Sequence, residues 1–173
     1  MLKFVFPLIL FAIATVLIIP LDSHELQASR SDGSGIRIAL DGDCTVSLVE
    51  MQAYVKGDKK FESTYRGLRY QFLSEEEKTV FDACPEMFAV AFKGVDIVAT
   101  YGLDGPLDAK EVTFGVGRNT HRFEDKIYHF ASEKSFRLFV KQPSEYIARA
   151  KQALYLDAER KRGKSMSELY PVQ

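Results

Sequence analysis

The chain writes one pattern twice. Residues 65–88, YRGLRYQFLSEEEKTVFDACPEMF, and residues 123–146, FEDKIYHFASEKSFRLFVKQPSEY, align without a gap at an offset of 58. Tyr70 meets Tyr128, Phe72 meets Phe130, Ser74-Glu75 meets Ser132-Glu133, Phe81 meets Phe139 and Pro85 meets Pro143. Upstream, Gly57 matches Gly115. A second match opens each copy: LDGDCTV, Leu40 to Val46, resembles FKGVDIV, Phe92 to Val98, now at an offset of 52. The later copy therefore carries six extra residues, placed within TYGLDGPLDAK. A fold for this chain has to accommodate two similar units in sequence.

The local reading of each unit is a β-hairpin followed by a short helix. TYRGLRYQF alternates around Arg66-Gly67, which suits a turn between two strands. Tyr70 and Phe72 are two apart and share a face. Ser74 followed by Glu77 has capping-box spacing, and the acids after Ser74 suit the positive end of a helix. Val80, Phe81 and Cys84 fall on one helical face, and Pro85 ends the helix. In the second unit Asp125-Lys126 is read as the turn, Ser132 as the cap, and Phe136 and Phe139 as the apolar face. His129 lies between Tyr128 and Phe130, so alternation points it the other way, toward solvent.

A unit of about 55 residues buries little core and commonly needs a metal, a disulfide or a partner. The two copies are expected to supply that partner to each other, each burying an apolar face against the other in one pseudo-symmetric α+β globule. The divisions read from the sequence are 1–28, 36–91 and 92–150, followed by 151–173 as a terminal helix with a polar tail.

This layout resembles the YHS domain family, over roughly residues 38–150. The resemblance rests on Gly42-Asp43-Cys44-Thr45-Val46, Tyr70-Gln71-Phe72-Leu73-Ser74, Phe81 and Pro85-Glu86-Met87-Phe88 in the first unit. In the second it rests on Gly94-Val95-Asp96-Ile97-Val98, Tyr128-His129-Phe130-Ala131-Ser132, Phe139 and Pro143-Ser144-Glu145-Tyr146. The resemblance implies a metal-binding module with three cysteines: one in the opening segment, one between the hairpin Phe and the Ser, and one four residues further into the helix. Thiolates bind zinc or copper(I). Here the first unit keeps Cys44 but has Leu73 and Glu77 at the other two positions. The second has Asp96, Ala131 and Ser135. The implied reading is a degenerate module that kept the scaffold and lost the metal, with Cys44 and Glu77 as a relic site.

The N-terminus is of another kind. Phe4 to Leu21, FVFPLILFAIATVLIIPL, is uncharged and follows Lys3. A basic start and an apolar run read as an export signal, and the run is long enough to serve as a membrane tether. Cleavage after Ala28 and retention as an anchor both stay open. Either places the remainder outside the cytoplasm, periplasmic or extracellular. Without residues 1–28 the chain is neutral, with 22 basic and 22 acidic residues. That balance predicts no grip on nucleic acid, which requires a basic patch.

Two cysteines remain, Cys44 and Cys84. Outside the cytoplasm such a pair is a candidate disulfide, a staple worth about 2–4 kcal/mol, or a redox pair. The competing reading is two free thiols. His121 and His129 are candidates to complete a metal site or to act as base to Cys44, and His24 lies near the export signal. No motif joins them, and the glycines of FGVGRN, Phe114 to Asn119, lack the context of a phosphate loop. ERKRGK, Glu159 to Lys164, reads as a solvated helix end. The expected function is a non-catalytic binding module of the cell envelope, with an unidentified protein partner. The alternatives are weak zinc or copper handling through Cys44 and a thiol redox role.

Overall fold

A computed structural model describes residues 35–163. The apolar segment 4–21, its Ala28 junction, His24 and the tail from Lys164 lie outside the described residues. Among the described residues no helix is long and apolar enough to cross a membrane.

The fold is α+β. The chain begins with β1 (Arg37–Ile38) and a 3-10 turn (Ala39–Gly42), followed by α1 (Thr45–Met51). The first hairpin is β2 (Asp58–Tyr65) and β3 (Leu68–Phe72), and the helices α2 (Glu75–Ala83) and α3 (Pro85–Phe88) follow. A second 3-10 turn (Ala91–Gly94) and α4 (Ile97–Tyr101) lead to the hairpin of β4 (Thr120–Phe123) and β5 (Lys126–His129). Helices α5 (Glu133–Lys141) and α6 (Pro143–Lys161) end the described chain. Strand β3 is central in its sheet, parallel to β1 and antiparallel to β2, with Ser63 opposite Tyr70 and Tyr65 opposite Leu68. Strands β4 and β5 pair from Thr120–His129 to Phe123–Lys126, and Val90 adds a lone parallel bridge to Ile127.

Both hairpins turn on two residues of positive φ, which suits the twist of the flanking strands. In the first they are Arg66 and Gly67, and in the second Glu124 and Asp125 rather than Asp125-Lys126. Other local contacts recur at the sequence offsets. Cys44 N–H donates to Val55 O at 2.7 Å, and Asp96 N–H donates to Thr113 O at 2.9 Å. Gly57 N–H donates to Gly42 O, and Gly115 N–H to Gly94 O, both at 2.9 Å. A Cβ on Gly57 would lie 2.4 Å from the Gln71 carbonyl carbon, and one on Gly115 would lie 2.2 Å from His129 Cγ. Only glycine admits so close an approach. The six extra residues fall between Asp96 and Thr113, as the offsets require.

The aromatic cores also match. Tyr70 packs on Phe81 with centroids 4.7 Å apart, and Tyr128 on Phe139 at 4.7 Å. Phe72–Phe81 and Phe130–Phe139 stand at 4.9 and 5.1 Å. Serine caps start both helices: Ser74 Oγ accepts from Glu77 N–H, and Ser132 Oγ from Ser135 N–H.

Several expectations need correction. The apolar faces are buried within each unit, in two separate clusters, and not against each other. Ile127 crosses over, belonging to the second hairpin but packing in the first cluster. Much of the contact between units is polar. Asp41 accepts from Gly117 N–H at 2.7 Å, Arg118 lies 3.5 Å from Asp43, and Lys126 donates to Glu86 O at 2.8 Å. The opening segment, for which the sequence reading has no element, is a turn and a helix, and Cys44 immediately precedes α1. The division at 150–151 falls inside α6. Pro143 occupies the first turn, where its missing N–H is harmless. Tyr146, Ile147, Ala150, Ala153 and Leu156 then continue one buried face through the whole helix.

Candidate functional site

Cys44 and Glu77, paired in sequence reasoning as a relic metal site, meet in space. Cys44 lies just before α1 with a side chain 0% exposed, and Glu77 is in the first turn of α2. The Cys44 thiol donates to Glu77 Oε2 at 3.0 Å. Ser47, in the first turn of α1, donates its hydroxyl to Glu77 Oε1 at 2.7 Å. Leu73 N–H, at the junction of β3 and α2, donates to Oε2 at 3.0 Å. The sequence marked Glu77 as half of a capping box. Its carboxylate takes the N–H of Leu73, one residue before the cap, and binds α1 as well.

Protonation follows from this arrangement. Burial raises the Cys44 thiol above its ordinary value, and the bond to Glu77 raises it further. Burial pushes Glu77 upward too, but the bonds from Cys44, Ser47 and Leu73 together outweigh it and hold the carboxylate below its ordinary range. A protonated thiol therefore faces an ionised carboxylate. The zinc or copper(I) centre that the resemblance implies draws on three cysteine thiolates. This donor set offers one thiol and one carboxylate already taken by three donors, where the family pattern has three thiols, so it does not fit the metal that the family resemblance implies. Among the described residues no three His, Cys, Asp or Glu side chains gather as a metal site.

The second unit solves the same problem with another residue. Asp96, 0% exposed, stands at the position of Cys44. Its Oδ1 accepts from Val98 N–H at 3.0 Å and Ala99 N–H at 2.9 Å, capping α4. Its Oδ2 accepts from Ala131 N–H at 2.8 Å. Ala131 is the counterpart of Leu73. In both units a carboxylate ties the strand–helix junction to the opening helix. In the first it comes from α2, and in the second from the residue before α4. Ser135, at the position of Glu77, turns back to the Ser132 hydroxyl at 3.1 Å.

The other candidates are dispersed. Both cysteines are free, and Cys84 is exposed at the end of α2 instead of on its inner face. Of the three residues assigned to that face, only Phe81 is buried, and Val80 is 39% exposed. His129 is 3% exposed, contrary to expectation, because the segment around Gly115 covers the second face of β5. Its Nε2 pairs with Gly117 O at 3.0 Å. His121 packs edge-on against Phe136 and Phe139. Neither histidine is engaged with Cys44.

Sequence reasoning missed a groove of about 810 Å³ where the two hairpins face each other. Leu68 and Tyr70 of β3 and Lys126 and Tyr128 of β5 line it, together with Arg66 and Glu124 at the turns. These are alternate residues at matched positions, so one face of each hairpin contributes. The repeat was the available signal, but alternation alone does not say that the two faces meet. Burial pushes the Tyr70 and Tyr128 hydroxyls up to about 12, so both stay neutral. Comparison with family models, with curated proteins and with solved structures found no match to this chain.

Proposed function

We propose that this chain is a pair of degenerate, pseudo-symmetric YHS-like units acting as a non-catalytic binding module, exported to the cell envelope. The observation that carries the reading is the carboxylate clamp. Glu77 in one unit and Asp96 in the other accept the N–H groups that fix the strand–helix junction. In a thiolate site those junctions would be organised around an ion. A hydrogen-bonded clamp gives the scaffold its local closure without one, and leaves the groove between the hairpins as the feature available for binding. The apolar segment 4–21 supports the export part of the proposal.

The test is a native mass spectrum of the full chain, purified without reductant or chelator, for wild type and Cys44→Ser. The expected mass is that of the reduced chain without metal, with the variant alike. Added mass of zinc or copper that disappears in Cys44→Ser would replace this reading with metal handling. A two-dalton deficit abolished by the substitution would replace it with a redox role for Cys44 and Cys84.

A further inference from the structure

The groove between the hairpins combines two features that select a ligand class. Its floor is apolar, formed by side chains such as Leu68, Val90, Phe92, Phe114 and Ile147. Its rim is cationic: Arg37, Arg66, Lys93, Lys126 and Lys151 against the carboxylates Glu86 and Glu124. The whole chain carries a net charge of −1, so this concentration of positive charge is local. Glu86 is occupied by Arg66 at 2.6 Å and Lys126 at 3.6 Å. Lys93 and Lys151 have no carboxylate partner among the described residues, and Lys93 sits beside Arg37, which donates to its carbonyl at 3.2 Å. Arg37 itself stacks on Phe114, 3.3 Å from the ring centroid.

A sugar or a nucleotide base would need polar partners along the floor, and a bare phosphate would leave the apolar surface uncovered. A molecule with a long apolar body and one anionic end satisfies both parts. We infer that the groove binds a single-chain fatty carboxylate, its tail on the floor between β3 and β5 and its head at Lys93 and Lys151. The volume lies within the range of small-molecule sites, and unpaired lysines at the rim attract a carboxylate without first breaking an ion pair. This inference rests on the binding-module reading and names the ligand of that module.

The experiment titrates the full chain with cis-parinaric acid, a fluorescent fatty acid, and with its uncharged methyl ester. The expected result is saturable binding of one acid per chain, displaced by oleate, with the ester at least tenfold weaker. Lys93→Glu/Lys151→Glu should weaken the acid at least tenfold and leave the ester within about twofold. Lys93→Gln/Lys151→Gln should lie between. Unchanged circular dichroism and melting temperature would show that both variants are folded. Equal affinity for acid and ester overturns the inference. So does an acid signal that survives both lysine substitutions, which would place the probe on segment 4–21 or between two copies of the chain. No binding overturns it too, while an apo mass spectrum would leave the binding-module reading standing. Metal in that spectrum would remove the reading, and the lysine variants would still test the groove.

Discussion

The two units differ most where they do the same job. In the first, a carboxylate on the helix reaches back to Leu73 N–H and collects the thiol of Cys44 and the hydroxyl of Ser47. In the second, a carboxylate before α4 reaches forward to Ala131 N–H and caps its own helix with the other oxygen. The junction's N–H is constant and the source of its acceptor is not. A backbone donor at a chain reversal must be satisfied, whereas any side chain whose oxygen arrives there will serve. The aromatic cores show the opposite behaviour: rings at matched positions repeat their spacing within about 0.2 Å. Packing fixes shape, so it tolerates less exchange than a hydrogen bond does.

The largest effects should come from the matched cores. Phe81→Ala and Phe139→Ala should each cost about 3–5 kcal/mol in urea unfolding, and the two should agree within about 1 kcal/mol. A wide gap between them would break the equivalence of the units. Next comes Asp96→Ala, which strips three backbone N–H groups of their acceptor at a fully buried position. It should cost about 3 kcal/mol by the same measurement. Glu77→Ala should cost less, about 1–2 kcal/mol, because Glu77 is only half-buried and accepts a single backbone N–H, that of the exposed Leu73.

The smallest effect distinguishes the units by pH. The folded state holds the Cys44 proton more tightly than the unfolded chain does. That stabilisation is complete below the ordinary thiol value of 9.0 and is lost as pH rises through the higher folded value. Unfolding free energy should therefore fall above about pH 9, and Cys44→Ser should remove that part of the slope. Glu77 acts with the opposite sense. Its lowered folded value gives stability above its ordinary 4.5 that is lost as pH falls through the folded value. Glu77→Gln should flatten that acid limb.

Much of this comparison was legible in the sequence. The hairpins, both serine caps and the shared face of Tyr70 and Phe72 come from local alternation and spacing, which a short window contains. The contact of Cys44 with Glu77 followed from the family resemblance. What escaped depended on distant chain. His129 is buried by a segment that closes over the second face of β5, and Asp96 acts on Ala131, 35 residues away. The short helix α1 begins Thr45-Val46, residues that favour strands. It is held in place by the bond from Cys44 N–H to Val55 O. Pro85 and Pro143 look alike in sequence. One starts a helix that stops at Phe88 and the other a helix that runs to Lys161, because only the second is followed by a long buried stripe.

One carboxylate is required at each junction, and its source is exchangeable. A double-mutant cycle in urea on Cys44→Asp and Glu77→Ser tests this by giving the first unit the residues of the second. Cys44→Asp alone buries a second carboxylate against Glu77, and Glu77→Ser alone removes the acceptor of Leu73, so each should destabilise. Together they should recover about 2 kcal/mol relative to the sum of the single losses, with the introduced aspartate taking the Leu73 N–H. Additive losses would contradict the claim and make the two clamps unrelated solutions.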